Sequence, residues 1–222
     1  MPALHAAETR CPPSPAVRAP LARVKRQAQR LLREEGLLEP VWAFRIHPVG
    51  AIRGDVLDLG DTAIRAPALA ALFGQVSAVA AAACTIGAQV EARVASLFAA
   101  RERVSGEHAR VLALALDELA GERLFRLSDE LHARIARAAR SQGWHAGAPE
   151  SPGDPGVALD AQAAVLALSG ISTQSILMNS SGMLWPLKSL SFVVALGAAV
   201  PDRPLASRCV RCGSRERCSQ RR

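Results

Sequence analysis

The chain has 222 residues and is 50% hydrophobic, enough to bury a sizeable core, and the usual domain size of roughly 150 residues favours one large domain over two. Its formal net charge is +7, but Arg203 to Arg222 holds seven Arg and one Glu, a net of +6, so the rest of the chain carries only +1. A nucleic-acid-binding domain needs positive charge spread over a structured face and rings on which bases stack; aromatic residues at 4% and no Tyr argue against that class.

Up to Arg30 the sequence is basic, with Glu8 its one acid, five Pro and no apolar signal-peptide stretch, and it reads as the ragged start of a cytoplasmic protein. Within it Leu21, Val24, Ala28, Leu31 and Leu32 fall at helical spacing, which predicts an amphipathic helix over Pro20 to Glu35 that closes at Gly36. Val41 to Ile46 and Ala51 to Leu59 alternate as strands do, and Pro48-Val49-Gly50 between them predicts a hairpin. Asp61-Thr62 is placed to cap a short helix running to Phe73. Val76 to Ile86 is small and apolar and stops at Gly87, as a central strand would, and Ala88 to Ala100 reads as helix.

From Gly106, Leu112, Leu116, Leu119, Leu124, Leu127, Leu131 and Ile135 keep steps of three to five residues, so one long or once-bent helix is expected to reach Arg140. Gly143 to Gly156 contains four Gly and three Pro and reads as a loop, the expected site region, followed by a helix from Leu159 to Leu168. Ser175 to Met178 and Ser189 to Leu196 read as strands enclosing Asn179 to Lys188. The uncharged runs Ala66 to Val90 and Ala161 to Leu187 are rich in Ala and broken by polar residues, so they read as buried core rather than membrane spans. This order of elements predicts an α+β domain over residues 1–200 and an Arg- and Cys-rich tail over 201–222.

Five Cys is an odd count, and three of them crowd into the tail, which points to a reducing compartment and to metal or redox chemistry rather than disulfides. Cys209 and Cys212 form a Cys-x-x-Cys pair that puts two thiolates on one turn, and Cys218 supplies a third corner of an iron-sulfur or zinc site. The competing reading is a solvated basic tail with free thiols. Cys84 sits in an apolar run and reads as a core residue, and Met183 and Trp185 taken alone read the same way. His108, His132 and His145 lack metal spacing with one another. Lys188 ends an uncharged run of 27 residues; an ammonium there either pairs with a carboxylate or faces a site.

Several short motifs occur in a fixed order: Cys84-Thr85-Ile86-Gly87 before Gln89-Val90-Glu91, then Ser151-Pro152-Gly153, Gln162, and Ser180-Ser181-Gly182-Met183-Leu184-Trp185-Pro186-Leu187-Lys188-Ser189. From Val41 to Leu196 the chain resembles the activation domain family of cobalamin-dependent methionine synthase. That resemblance implies a twisted antiparallel sheet wrapped by helices and a loop that binds S-adenosylmethionine to remethylate an oxidised cobalamin. It places Ser151, Pro152, Gly153, Asp154, Met183, Pro186, Lys188 and Ser189 at the cofactor. Pro149 and Asp154 stand where the family has Arg and Tyr, and loss of the Arg fork for the methionine carboxylate implies weak binding.

With no room for homocysteine, folate or cobalamin modules, the resemblance implies that the chain works as a component of a cobalamin-dependent methyltransferase. Its partners would be a separate cobalamin-binding methyltransferase chain and an electron donor protein, with no nucleic acid and no membrane. The alternative is a non-enzymatic redox or interaction module that works through the tail metal.

Overall fold

Ala78–Thr85 are buried at every position, and they form the strand on which the rest of the chain is assembled. The computed structural model describes residues 15–99, 103–201 and 216, with side chains described from residue 20 onward except 103–105. Two helices and four strands precede that strand: α1 (Pro15–Glu34), β1 (Val41–Pro48), β2 (Ala51–Arg53), β3 (Val56–Asp58), β4 (Ala63–Arg65) and α2 (Pro67–Ala70). The buried strand is β5 (Ala78–Thr85), after which come α3 (Gln89–Ala99), α4 (Arg103–Arg140) and β6 (His145–Glu150). A 3-10 turn (Leu159–Ala161) then opens α5 (Gln162–Ser169), and β7 (Leu177–Met178), β8 (Leu184–Trp185) and β9 (Ser189–Gly197) complete the described elements.

The main sheet is antiparallel in the order β1-β5-β9-β6. In register, Ala82 of β5 lies between Phe44 of β1 and Phe192 of β9, so a methyl group is flanked by two large rings. The small side chains of β5 make room for bulky neighbours and for helices over the sheet, as dense core packing requires. Pleating sends alternate residues to opposite faces. Ala78, Ala80, Ala82 and Cys84 join the core that contains Val24, Leu32, Leu116, Leu131 and Ile135 of α1 and α4. Val79 and Ala81 join a second core with Leu57, Ile64, Leu69 and Val165. The sheet thus has a helical face, covered by α1, α3 and α4, and a second face, covered by α2, α5 and β2-β3-β4. The architecture is α+β, as the order of elements predicts.

Helices α1, α3, α4 and α5 form over the runs whose periodicity predicts them. In α1, Val24, Ala28 and Leu32 recur every four residues and are buried. Gly36, at φ 60°, ends it, and the Leu37 amide donates back to the Leu32 carbonyl at 3.2 Å, closing the last turn with the apolar Leu37 tucked beneath. The long helix α4 has 38 residues, a length of about 57 Å.

Four expectations are corrected. The strands on either side of Pro48-Val49-Gly50 do not pair with each other; β1 runs along all of β5, and the Val49 amide extends that ladder to Ser77. The segment Ala51 to Leu59 instead folds back on itself at Gly54, whose φ of 62° suits a two-residue hairpin turn. No helix starts at Asp61-Thr62: Asp58 Oδ1 accepts the Gly60 amide, the Thr62 carbonyl accepts the Leu59 amide, and β4 follows, with Pro67 opening the short α2. The stretch Gly143 to Gly156 is only partly a loop, because His145–Glu150 is the edge strand β6, where a bulge between Ala146 and Pro149 accommodates a residue with no amide hydrogen. Lastly, only Leu177–Met178 of Ser175 to Met178 is a strand, and it pairs with β8, which lies inside the segment expected to be enclosed by the two strands.

Candidate functional site

The turn after β6 is closed by its own atoms. The Ser151 amide donates to Asp154 Oδ2 at 3.2 Å, the Asp154 amide donates to the Ser151 carbonyl at 2.9 Å, and the Gly153 amide donates to the Val157 carbonyl at 3.0 Å. Gly153, at φ 92°, occupies backbone space that a side chain would strain. Asp154 therefore acts as the acceptor that shapes the turn.

A second turn, between β7 and β8, is organised by one side chain. Asn179 Oδ1 accepts from the Ser181 amide at 3.0 Å, the Ser181 hydroxyl at 2.8 Å and the Met183 amide at 2.9 Å. The two turns meet over the same residue. A Cβ built on Gly153 would lie 3.5 Å from Leu159 Cδ1, and one built on Gly182 would lie 3.7 Å from that same carbon. Two segments 29 positions apart in sequence are thus brought side by side, with Leu159 between them. Leu159 is 54% exposed, and Met183 and Trp185, which follow Gly182 along the chain, are 56% and 53% exposed. Met183 and Trp185, apolar enough to read as core, lie at the surface because the hairpin that carries them is only two residues deep on each side.

Behind the first turn lies a carboxylate that the sequence reading passed over. Glu150 is buried, and Gly156 gives it room: a Cβ there would sit 2.5 Å from Glu150 Oε2 and 2.9 Å from the Ala68 Cβ. A cavity of about 70 Å³ opens beside it, lined by Ala68, Leu72, Gly147, Ala148 and Pro201 among others. An acid directly after Pro149 in a segment dense in Gly and Pro was the available signal, but alternation in an edge strand does not reveal which face is covered. Gln162 donates to the Ser191 hydroxyl at 2.7 Å, both side chains being buried, and this bond ties α5 to β9. Ser191 shares its face of β9 with Val193 and Ala195 of the second core.

Lys188 and Ser189 belong to a different environment. The Lys188 ammonium lies 2.8 Å from Asp117 Oδ1 on α4, its amide donates to Glu91 Oε1 of α3 at 2.8 Å, and its carbonyl accepts from the Ile86 amide and the Thr85 hydroxyl, each at 3.2 Å. Of the two options for this lysine, the carboxylate partner is the one present, on the helical face of the sheet. Ser189 is buried and donates its hydroxyl to the Pro186 carbonyl at 2.6 Å, and Pro186 is buried as well. The eight residues therefore divide: the Ser151 to Asp154 turn meets Leu159 through Gly153, Met183 follows Gly182 in the turn that meets the same leucine, and Pro186, Lys188 and Ser189 frame the start of β9.

Of the histidines, His132 is buried with Nε2 at 2.9 Å from the Gly147 carbonyl, linking α4 to the bulged strand. Among the described residues no group of three or more His, Cys, Asp or Glu is placed to hold a metal ion. Cys209, Cys212 and Cys218 lie outside the described residues. Also among the described residues, no helix is long and apolar enough to cross a membrane.

Comparison of the sequence finds no matching family model and no matching curated protein. The architecture does find a match. The crystal structure of the MetH reactivation domain bound to AdoHcy superposes with a TM-score of 0.61 over 89% of this chain and 73% of that one, at 15% sequence identity. The two chains share a fold. At that identity the likeness extends to the fold alone, and the twisted antiparallel sheet with its helices is the part held in common.

Proposed function

We propose that this protein is an accessory component of cobalamin-dependent methionine synthesis, supporting the S-adenosylmethionine-linked reductive reactivation of a separate corrinoid methyltransferase. The observation that carries the reading is the fold shared over most of the chain with a reactivation domain whose structure holds AdoHcy, combined with the meeting of the Ser151 and Asn179 turns over Leu159. In this reading Ser151, Pro152, Gly153 and Asp154 hold the methyl donor, with Leu159 and Met183 as its apolar bed. Pro186, Lys188 and Ser189 hold the β8 to β9 junction in place. The partners are a cobalamin-binding methyltransferase chain, which receives the methyl group, and an electron donor protein, which reduces the cobalt.

The absence of an Arg in the turn favours weak binding, since a charge-assisted contact to a carboxylate is worth about 1.5–3 kcal/mol, or roughly ten- to a hundredfold in affinity. Calorimetric titration of the full chain with S-adenosylmethionine tests this: weak binding is expected, and Pro149→Arg combined with Asp154→Tyr should tighten it by that factor. Tight binding by the natural sequence with no gain from the double change would overturn the assignment of this turn. Sedimentation of the chain with a cobalamin-binding methyltransferase should give a complex.

A second reading is supported by the same Pro149 and by the spacing of Cys209, Cys212 and Cys218. In it the fold has lost the methyl donor and serves as a non-enzymatic redox or interaction module whose three tail cysteines hold an iron-sulfur cluster or a zinc ion. Anaerobically purified protein should then contain one equivalent of zinc or one cluster, lost in Cys212→Ser while the core stays folded. Less than about a tenth of an equivalent, with all three thiols titratable, would remove this reading.

A further inference from the structure

The solvent side of α1 carries a feature that neither reading uses. Arg23, Arg26, Arg30 and Arg33 are all exposed, and at 100° per residue they fall within an arc of about 80° over about 15 Å of helix. None of the four forms an ion pair among the described residues, whereas Lys25, on another flank of the helix, meets Glu118 at 3.4 Å. Glu34 stands at the end of the stripe as the one acid of this helix. Three of the arginines, with Pro20, Gln27 and His108 of α4, line an open groove of about 830 Å³. His108 Nε2 and Gln27 Oε1 are 2.9 Å apart, so the wall of the groove is held by a bond between the two helices.

We propose that this groove, together with Arg33 at the end of the same stripe, docks a carboxylate-rich segment of a partner protein, the four guanidinium groups reading acids spaced three or four residues apart. Charge complementarity selects the occupant. Adjacent sites on one stripe lie about 5–6 Å apart, the spacing at which a partner helix presents Glu or Asp at i and i+4, and each guanidinium fork fits a carboxylate in two bonds. The lining contains no Phe, Tyr or Trp ring on which a base stacks, and His108, its one imidazole, is bonded to Gln27. A membrane surface is disfavoured because, among the described side chains of this helix, Leu21 is the one large apolar residue that is exposed. The tail of this chain, with seven Arg and one Glu from Arg203 to Arg222, has the same sign of charge as the groove and lacks the carboxylates it calls for.

The test uses the full chain and a helical peptide with Glu at every fourth position and a fluorophore, followed by anisotropy at low and moderate salt. Binding is expected that weakens with added salt and falls at least tenfold when Arg23, Arg26, Arg30 and Arg33 are all changed to Gln. The same drop is expected from the single reversal Arg26→Glu combined with Arg30→Gln, a milder change that guards against loss of the helix, which circular dichroism follows. A matched variant with the seven tail arginines changed to Gln should keep the groove-dependent loss. If the tail variant alone abolishes binding, the groove is not the site. Tighter binding to a single-stranded oligonucleotide, or to vesicles of phosphatidylserine and phosphatidylcholine, than to the peptide would overturn the choice of partner. Self-association of the chain lost in the fourfold variant would assign the groove to a second copy instead.

Discussion

The Ser151 turn and the Lys188 segment carry neighbouring parts of one sequence pattern, yet they are held in opposite ways. Ser151 to Asp154 is closed by its own backbone and one carboxylate and rests on the half-exposed Leu159, on the side of the second core. Lys188 is fastened to three elements of the helical side at once, through Asp117, Glu91 and the end of β5. A segment that satisfies itself leaves its outer surface available to a ligand, whereas one whose polar atoms are committed to its neighbours serves as frame. The difference also shows why a lysine at the end of an apolar run is a poor guide to a ligand: burial of the ammonium demands a partner, and the protein already supplies one.

The largest loss of stability is expected where the two regions share a seam. Phe192 of β9 is fully buried, and Phe192→Ala should cost about 3–5 kcal/mol in urea denaturation, enough to disturb both regions together. Next comes Gly156→Ala, which forces a methyl group against Glu150 and Ala68; about 1–3 kcal/mol of destabilisation is expected, with weakened methyl-donor binding because the neighbouring turn must shift. Asp154→Ala removes the acceptor of the Ser151 amide and should cost about 0.5–1.5 kcal/mol. The smallest effect belongs to Lys188→Met. With Asp117 half-exposed, loss of that pair should cost at most about 1 kcal/mol. A Lys188→Met loss exceeding that of Gly156→Ala would reverse the contrast between frame and site.

What the sequence made legible follows from length and periodicity. Strand β5, helices α3, α4 and α5 and strand β9 were all readable, because runs of eight or more residues with one dominant pattern leave little choice of structure. The hairpin misassignment has a local cause: Pro48-Val49-Gly50 carries stronger turn chemistry than Gly54-Asp55, but eight paired residues with β5 outweigh a short local hairpin. Sequence spacing also could not place Leu159 between Gly153 and Gly182, since that contact joins residues far apart along the chain. Glu150 went unread for a related reason, as the burial of one carboxylate depends on a glycine six positions later and on Ala68 from α2.

The central claim, that the methyl donor sits where the two turns meet over Leu159, is tested most directly by calorimetric titration of S-adenosylmethionine into three proteins: the natural sequence, Leu159→Asp and Lys188→Met. Because Leu159 is 54% exposed, its substitution changes the surface of the site more than the core. The account predicts that Leu159→Asp loses measurable binding and that Lys188→Met binds within about threefold of the natural protein, a difference of about 0.7 kcal/mol. Binding unchanged in Leu159→Asp and lost in Lys188→Met, with both proteins folded, would contradict it.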